Sequence, residues 1–193
     1  MTTQPMLRTG KAAALVDKKV GKGKLSEFES TLLEKELASL EKADPGQAKS
    51  LRALSLAAEG RFQESFAMHE CVVANEPEES VFLGNYATSL SAAGRFKEAA
   101  EKLYAAWEVD KTSVQFLYEG IKAAVASGDE EIIAKLGEKI CLVTGKSMAD
   151  FEVESGMMFA EIPTDQFYRA ACLSGSFQDW ARLEEEEAWK NLS

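Results

Sequence analysis

Cysteine is scarce and irregular in this chain: Cys71, Cys141 and Cys172 are odd in number, far apart and without a CxxC spacing. That pattern excludes a disulfide framework and a zinc site, and it suits a reducing compartment in which free thiols are buried. Histidine is scarcer still, with His69 alone. A cysteine or serine nucleophile would need that one imidazole beside it. Long apolar runs are missing too: the N-terminal stretch offers only Ala12 to Val16, too short for a signal-peptide core or a membrane span. The expectation is a soluble, cytoplasmic protein.

Positive charge is lacking from most of the chain. Residues 1–24 carry Arg8, Lys11, Lys18, Lys19, Lys22 and Lys24 against Asp17, or 6 − 1 = +5, so the remainder of a chain of net −10 holds −10 − 5 = −15. An acidic body repels phosphate backbones and argues against nucleic acid, leaving the basic arm as the one place to touch an anionic partner. Residues 1–24, rich in Thr, Gly and Lys, are expected to be a basic flexible arm with too few apolar residues to pack.

What the chain does have is a core-forming composition and a period. With 193 residues and 46% hydrophobic content it can bury a core without disulfides or metal. The phrases GRFQES (60–65) and GRFKEA (94–99) place their glycines 34 positions apart, and Gly128 falls another 34 residues on. A period of this length is the mark of a helix-turn-helix repeat, with each glycine at the turn. The units then run 46–79, 80–113 and 114–147.

These phrases resemble the tetratricopeptide repeat family, whose pattern puts small residues where the paired helices touch and an aromatic just after the turn. Ala53 and Ala87 match the small position of the first helix, Ser65 and Ala99 that of the second, and Phe62 and Phe96 the aromatic. Pro77 stands where the family ends its second helix, as suits a residue that cannot continue one. The third unit departs: Ile121 and Ile133 replace the small residues, and Gly120 and Gly137 lie inside its helices at roughly 1 kcal/mol each against alanine. The resemblance implies an all-α fold, a right-handed α-solenoid whose terminal units are capped.

On either side of the repeats the pattern weakens. Residues 25–45 read as an N-terminal cap helix or half-repeat, with Ser26 and Glu29 forming a capping box and Phe28, Leu32, Leu33, Leu37 and Leu40 at helical spacing. Residues 148–193 read as a helical C-terminal extension: an insertion helix, then AACLSGSFQDWARL (170–183) as a degenerate fourth repeat and LEEEEAWKNL as a polar cap.

Catalytic motifs do not survive inspection. Thr144, Gly145, Lys146 and Ser147 spell the tail of a P-loop, but Ile140 stands where its first glycine is needed. GKGK (21–24) lacks the third glycine of a dinucleotide site, and the Glu184–Glu187 run lacks the Asp, Asn and Gly ligands of a calcium loop. His69 is expected as a packed, hydrogen-bonded histidine. The reading is therefore no enzyme, no cofactor and no metal.

The family resemblance implies a concave surface lined by the first helices. Its inward positions map to Gln47, Ser50, Leu51, Leu54, Ala57 and Ala58, then Val81, Gly84, Asn85, Thr88, Ser91 and Ala92, then Gln115, Tyr118, Glu119, Lys122, Val125 and Ala126. Of these, Leu51, Leu54, Val81, Asn85, Thr88, Tyr118, Lys122 and Val125 are the candidate partner-binding residues: apolar contacts, small neighbours, Asn85 to bond a main chain and Lys122 as the main basic contact. Ser50, Gln115 and Glu119 stand where tetratricopeptide clamps for acidic chaperone tails need cations, so a mildly apolar segment is the expected ligand. Residues 26–142, with SVFLGNYATSLSAAGRFKEA opening the second repeat, also resemble the small acidic chaperones of bacterial type III secretion. That implies an adaptor or chaperone that sequesters an aggregation-prone segment of a partner protein, with no membrane or nucleic-acid role. A homodimer, an inhibitor, immunity or antitoxin-type protein using the same groove, and an enzyme with a site near 147–165 stay open as alternatives.

Overall fold

The computed structural model describes residues 10–145, which form helices and no strand. In chain order they are α1 (Gly10–Lys22), α2 (Glu27–Ala43), α3 (Pro45–Ala58), α4 (Phe62–Asn75), α5 (Ser80–Ala92), α6 (Phe96–Val109), α7 (Gln115–Ser127) and α8 (Glu130–Thr144). The readings made for residues 148–193, for Cys172 and for an enzymatic site at 147–165 lie outside the described residues.

Local chemistry sets most of the helix boundaries. Ser26 accepts from the Glu29 amide at 3.3 Å while the Glu29 carboxylate takes the Ser26 amide at 3.1 Å, so the expected capping box starts α2. Asp44 works twice: its amide closes α2 onto Leu40 and its carboxylate accepts from the Gln47 amide at 2.9 Å, with Pro45 opening α3. Asp129 caps α8 through the Ile132 amide at 3.1 Å.

The three phased glycines do the same job three times. Gly60, Gly94 and Gly128 have φ of +78°, +76° and +70°. At each, the residue after the glycine donates five positions back, Arg61 to Leu56, Arg95 to Leu90 and Asp129 to Ala124, and the glycine itself donates to Ala57, Ser91 or Val125. This is a Schellman ending, which needs a left-handed residue and so selects glycine. The 34-residue echo is thus three helical hairpins, α3 with α4, α5 with α6 and α7 with α8, each packed on the next through α3 with α5, α4 with α5 and α6 with α7. Ala53, Ser65, Ala87 and Ala99, expected where helices touch, are all fully buried.

A main core runs through α4 to α8 around Phe66, Leu90, Trp107, Phe116, Ile121 and Leu136. Gly120 sits within it inside α7, where a β-carbon would stand 3.3 Å from Leu136 and 3.4 Å from Leu103. Its helical cost therefore secures a close approach of three helices. Arg95 does more than close a turn: besides its ion pair with Glu98, its guanidinium lies 4.8 Å over the Phe66 ring of the preceding hairpin.

Three expectations are corrected. Residues 10–22 are a packed helix: Ala12, Ala13 and Val16 of α1 are buried in a second core with Leu33, Leu37, Leu51 and Leu54. Counting large apolar residues missed this because the packing stripe consists of alanines, whose small side chains bring the helix backbone close to the leucines of α2 and α3. Within α2, Leu33 and Leu37 carry the burial, whereas Phe28 is 77% exposed. Cys141 is buried as expected, but Cys71 is exposed on α4.

Candidate functional site

The candidate partner-binding residues divide among three environments. Leu51 and Leu54 on α3 are buried beneath α1. Asn85 on α5 is 2% exposed and donates to Ser50 Oγ of α3 at 2.9 Å, so the amide expected to bond a ligand ties two hairpins together. Val81, on the same helix, is also buried. On α7, Tyr118 and Val125 pack partly buried against the main core. Lys122, expected as the main basic contact, is buried at 8% exposure with its Nζ 3.4 Å from Glu119 Oε1. Gln115 Nε2 also donates to that carboxylate at 2.7 Å, and burial raises the Glu119 carboxyl above its ordinary range against the pull of Lys122.

Where α3 meets α5, a cavity of about 180 Å³ opens. Its wall joins Leu54, Ala57 and Ala58 of α3 with Thr88, Ser89 and Ala92 of α5, and Val20, Gly60 and Phe62 complete the lining. Five of these, Leu54, Ala57, Ala58, Thr88 and Ala92, are among the positions that the family resemblance implies to be inward. The alanines leave space that bulkier side chains would fill. Phe62 and Val20 were not foreseen: the first was read only as a turn aromatic, the second as part of an arm. The recurrence of Ala12, Ala13, Val16 and Val20 on one helical face was the signal that would have found Val20.

The two hydroxyls in this wall are already engaged. Thr88 Oγ1 donates to the Gly84 carbonyl at 3.1 Å, and Ser89 Oγ lies 2.9 Å from His69 Nε2. His69 itself is fully buried, its ring 5.2 Å from that of Tyr86, and burial pulls its pKa down to about 3. It is a neutral imidazole behind the wall, out of reach of a substrate proton. What the cavity presents is therefore apolar surface. An apolar space of roughly 150 Å³ takes one benzene-sized group, whereas sites for whole small molecules run to about 300–1,000 Å³. This one matches a single large side chain.

Two lysines of α1 are paired with neighbouring elements. Lys19 Nζ bonds Ser55 Oγ at 2.8 Å and pairs with Glu59, and Lys18 pairs with Glu29. Both carboxyls are held below their usual range by the hydrogen bond from the lysine, Glu29 at about 2. Partial burial pushes Asp17, between these lysines and Val16, up to about 6. Among the described residues no group of His, Cys, Asp or Glu is arranged to hold a metal ion, and no helix is long and apolar enough to cross a membrane.

Comparison with known proteins finds no match: no family model, no curated protein and no solved structure is similar to this chain.

Proposed function

We propose that the chain is a helical repeat protein of tetratricopeptide type, a right-handed solenoid that serves as a non-catalytic adaptor or chaperone by holding a mildly apolar segment of a partner protein. The observation that carries this reading is the coincidence of the α3–α5 cavity with positions that the family resemblance implies to be inward. A cavity sized for one side chain, walled by small residues that admit a partner's backbone, supports recognition of a segment through one apolar anchor. The type III secretion chaperones are the subgroup the sequence resembles. In such a role the groove shields the segment and the net charge of −10 keeps the complex soluble.

Ala92 lines the cavity yet is exposed, so a photo-crosslinking residue there reports on the groove without disturbing a core. In the native host it is expected to capture a discrete partner, while the same residue at exposed Ala67 on α4 captures none. Filling the cavity by Ala58→Phe should abolish capture with helix content unchanged. Equal capture from Ala67, or capture that persists in the filled variant, would refute the groove reading.

A further inference from the structure

The hairpin of α3 and α4 brings an amine and a thiol together on the protein surface. Lys49 on α3 and Cys71 on α4 are equally far in sequence from the Gly60 turn, so the antiparallel helices set them level with each other. Lys49 Nζ donates to Cys71 Sγ at 3.6 Å, and Asn75 Nδ2, one turn further along α4, donates to the same sulfur at 3.7 Å. Carboxylates are plentiful nearby, and Arg52, one turn along α3, pairs with Glu34 and Glu41. Lys49 lies against no carboxylate among the described residues and meets the sulfur instead. Cys71 is exposed, so a small oxidant in solvent reaches it, whereas Cys141 is buried.

We propose that Lys49 and Cys71 are the two ends of a redox-made bridge, an S–N bond between α3 and α4 that hydrogen peroxide installs and a dithiol removes. The chemistry balances in two steps. The Cys71 thiolate attacks one oxygen of peroxide; the O–O bond breaks, hydroxide leaves and the sulfur becomes a sulfenic acid. That hydroxide takes a proton from the Lys49 ammonium. The neutral amine then attacks the sulfur, forming the S–N bond as the S–O bond breaks, and the departing hydroxide takes a second proton from the nitrogen. Thiolate, ammonium and peroxide thus become a sulfenamide and two waters, with sulfur giving up the two electrons that the peroxide oxygens accept. A sulfenic acid condenses with a neighbouring thiol or nitrogen. Of the two nitrogens on this sulfur, the Asn75 amide is a poor nucleophile and the Lys49 amine a good one. The bridge spans 22 positions and joins α3, which supplies Leu54, Ala57 and Ala58 to the cavity wall, to α4, which supplies Phe62. It staples the first hairpin, and it stands independently of the groove reading.

The test treats the full chain with a small excess of hydrogen peroxide and reads its intact mass and a tryptic map. The bridged chain should weigh about 2 Da less than the reduced one. Trypsin, blocked at Lys49, should release residues 43–52 joined to residues 62–95, and dithiothreitol should separate them. Lys49→Arg keeps the charge but lacks the nucleophilic amine, so at the same dose its Cys71 should go on to the sulfinic acid and gain about 32 Da. The bridged parent should unfold at a urea concentration higher by about 1 M, because a loop has been closed, with no such shift in Lys49→Arg. Cys71 found as sulfinic acid at equal rates in parent and variant overturns the proposal. So does a parent in which Cys71 pairs with another cysteine while trypsin still cleaves at Lys49.

Discussion

Replacing His69 by glutamine should flatten the acid side of the stability profile. In the folded chain the imidazole is fully buried between Ser89 and Tyr86 and titrates at about 3, against 6.5 in an unfolded chain. Between those values the unfolded state binds a proton that the folded state refuses, so stability falls as pH falls. From pH 7 to pH 5 the loss assigned to this one group is about 2 kcal/mol, at 1.36 kcal/mol per pH unit once the unfolded imidazole is charged. Going lower is impractical because the sequence pI is near 4.8. Glutamine is neutral throughout and retains an amide to meet Ser89. Its absolute stability will differ from that of the parent, but its pH dependence should lack the histidine contribution. Other groups titrating in the same window, including Asp17, are common to both proteins and cancel in the comparison. Urea unfolding followed by circular dichroism at low protein concentration is the assay. With a slope of about 2 kcal/mol per molar urea, the parent's midpoint should drop by about 1 M more than the variant's between pH 7 and pH 5. Parallel profiles would mean that His69 is charged or solvated in the folded state, and the account of the wall behind the cavity would be wrong.

Two further outcomes follow from the packing and the turns. Val16→Ala should cost roughly 2 kcal/mol, because it empties a fully buried site between the α2 and α3 leucines; no change in the urea midpoint would mean that residues 10–22 are a loose arm after all. Gly94→Ala should cost about 1–2 kcal/mol purely through its φ of +76°, since a β-carbon there meets nothing within 4 Å. A Gly94→Ala protein as stable as its parent would remove the Schellman ending as the reason for the 34-residue echo.

The sequence by itself determined the hairpins. Gly60, Gly94 and Gly128 are legible because a left-handed residue at a helix end is a local requirement that few residues other than glycine meet. The capping box at Ser26 and Glu29 is legible for the same reason, since both partners lie within one turn. Small residues at Ala53, Ser65, Ala87 and Ala99 could be placed because the repeat pattern that the chain resembles implies which faces of paired helices meet. The same resemblance implied inward places for Leu54, Ala57, Ala58, Thr88 and Ala92, which line the cavity.

Only the tertiary structure decided how that face is used. An alanine stripe at residues 12–16 means little until leucines from α2 and α3 are opposite it, and no local rule brings those leucines there. Asn85 and Lys122 were read as ligand contacts because their positions face inward, yet Ser50 and Glu119 take up their polar groups within the protein. Burial of a polar group favours whichever partner folding brings within reach, and that partner lies 35 residues away for Asn85. Periodicity marks a face of a helix; what covers that face depends on the rest of the chain.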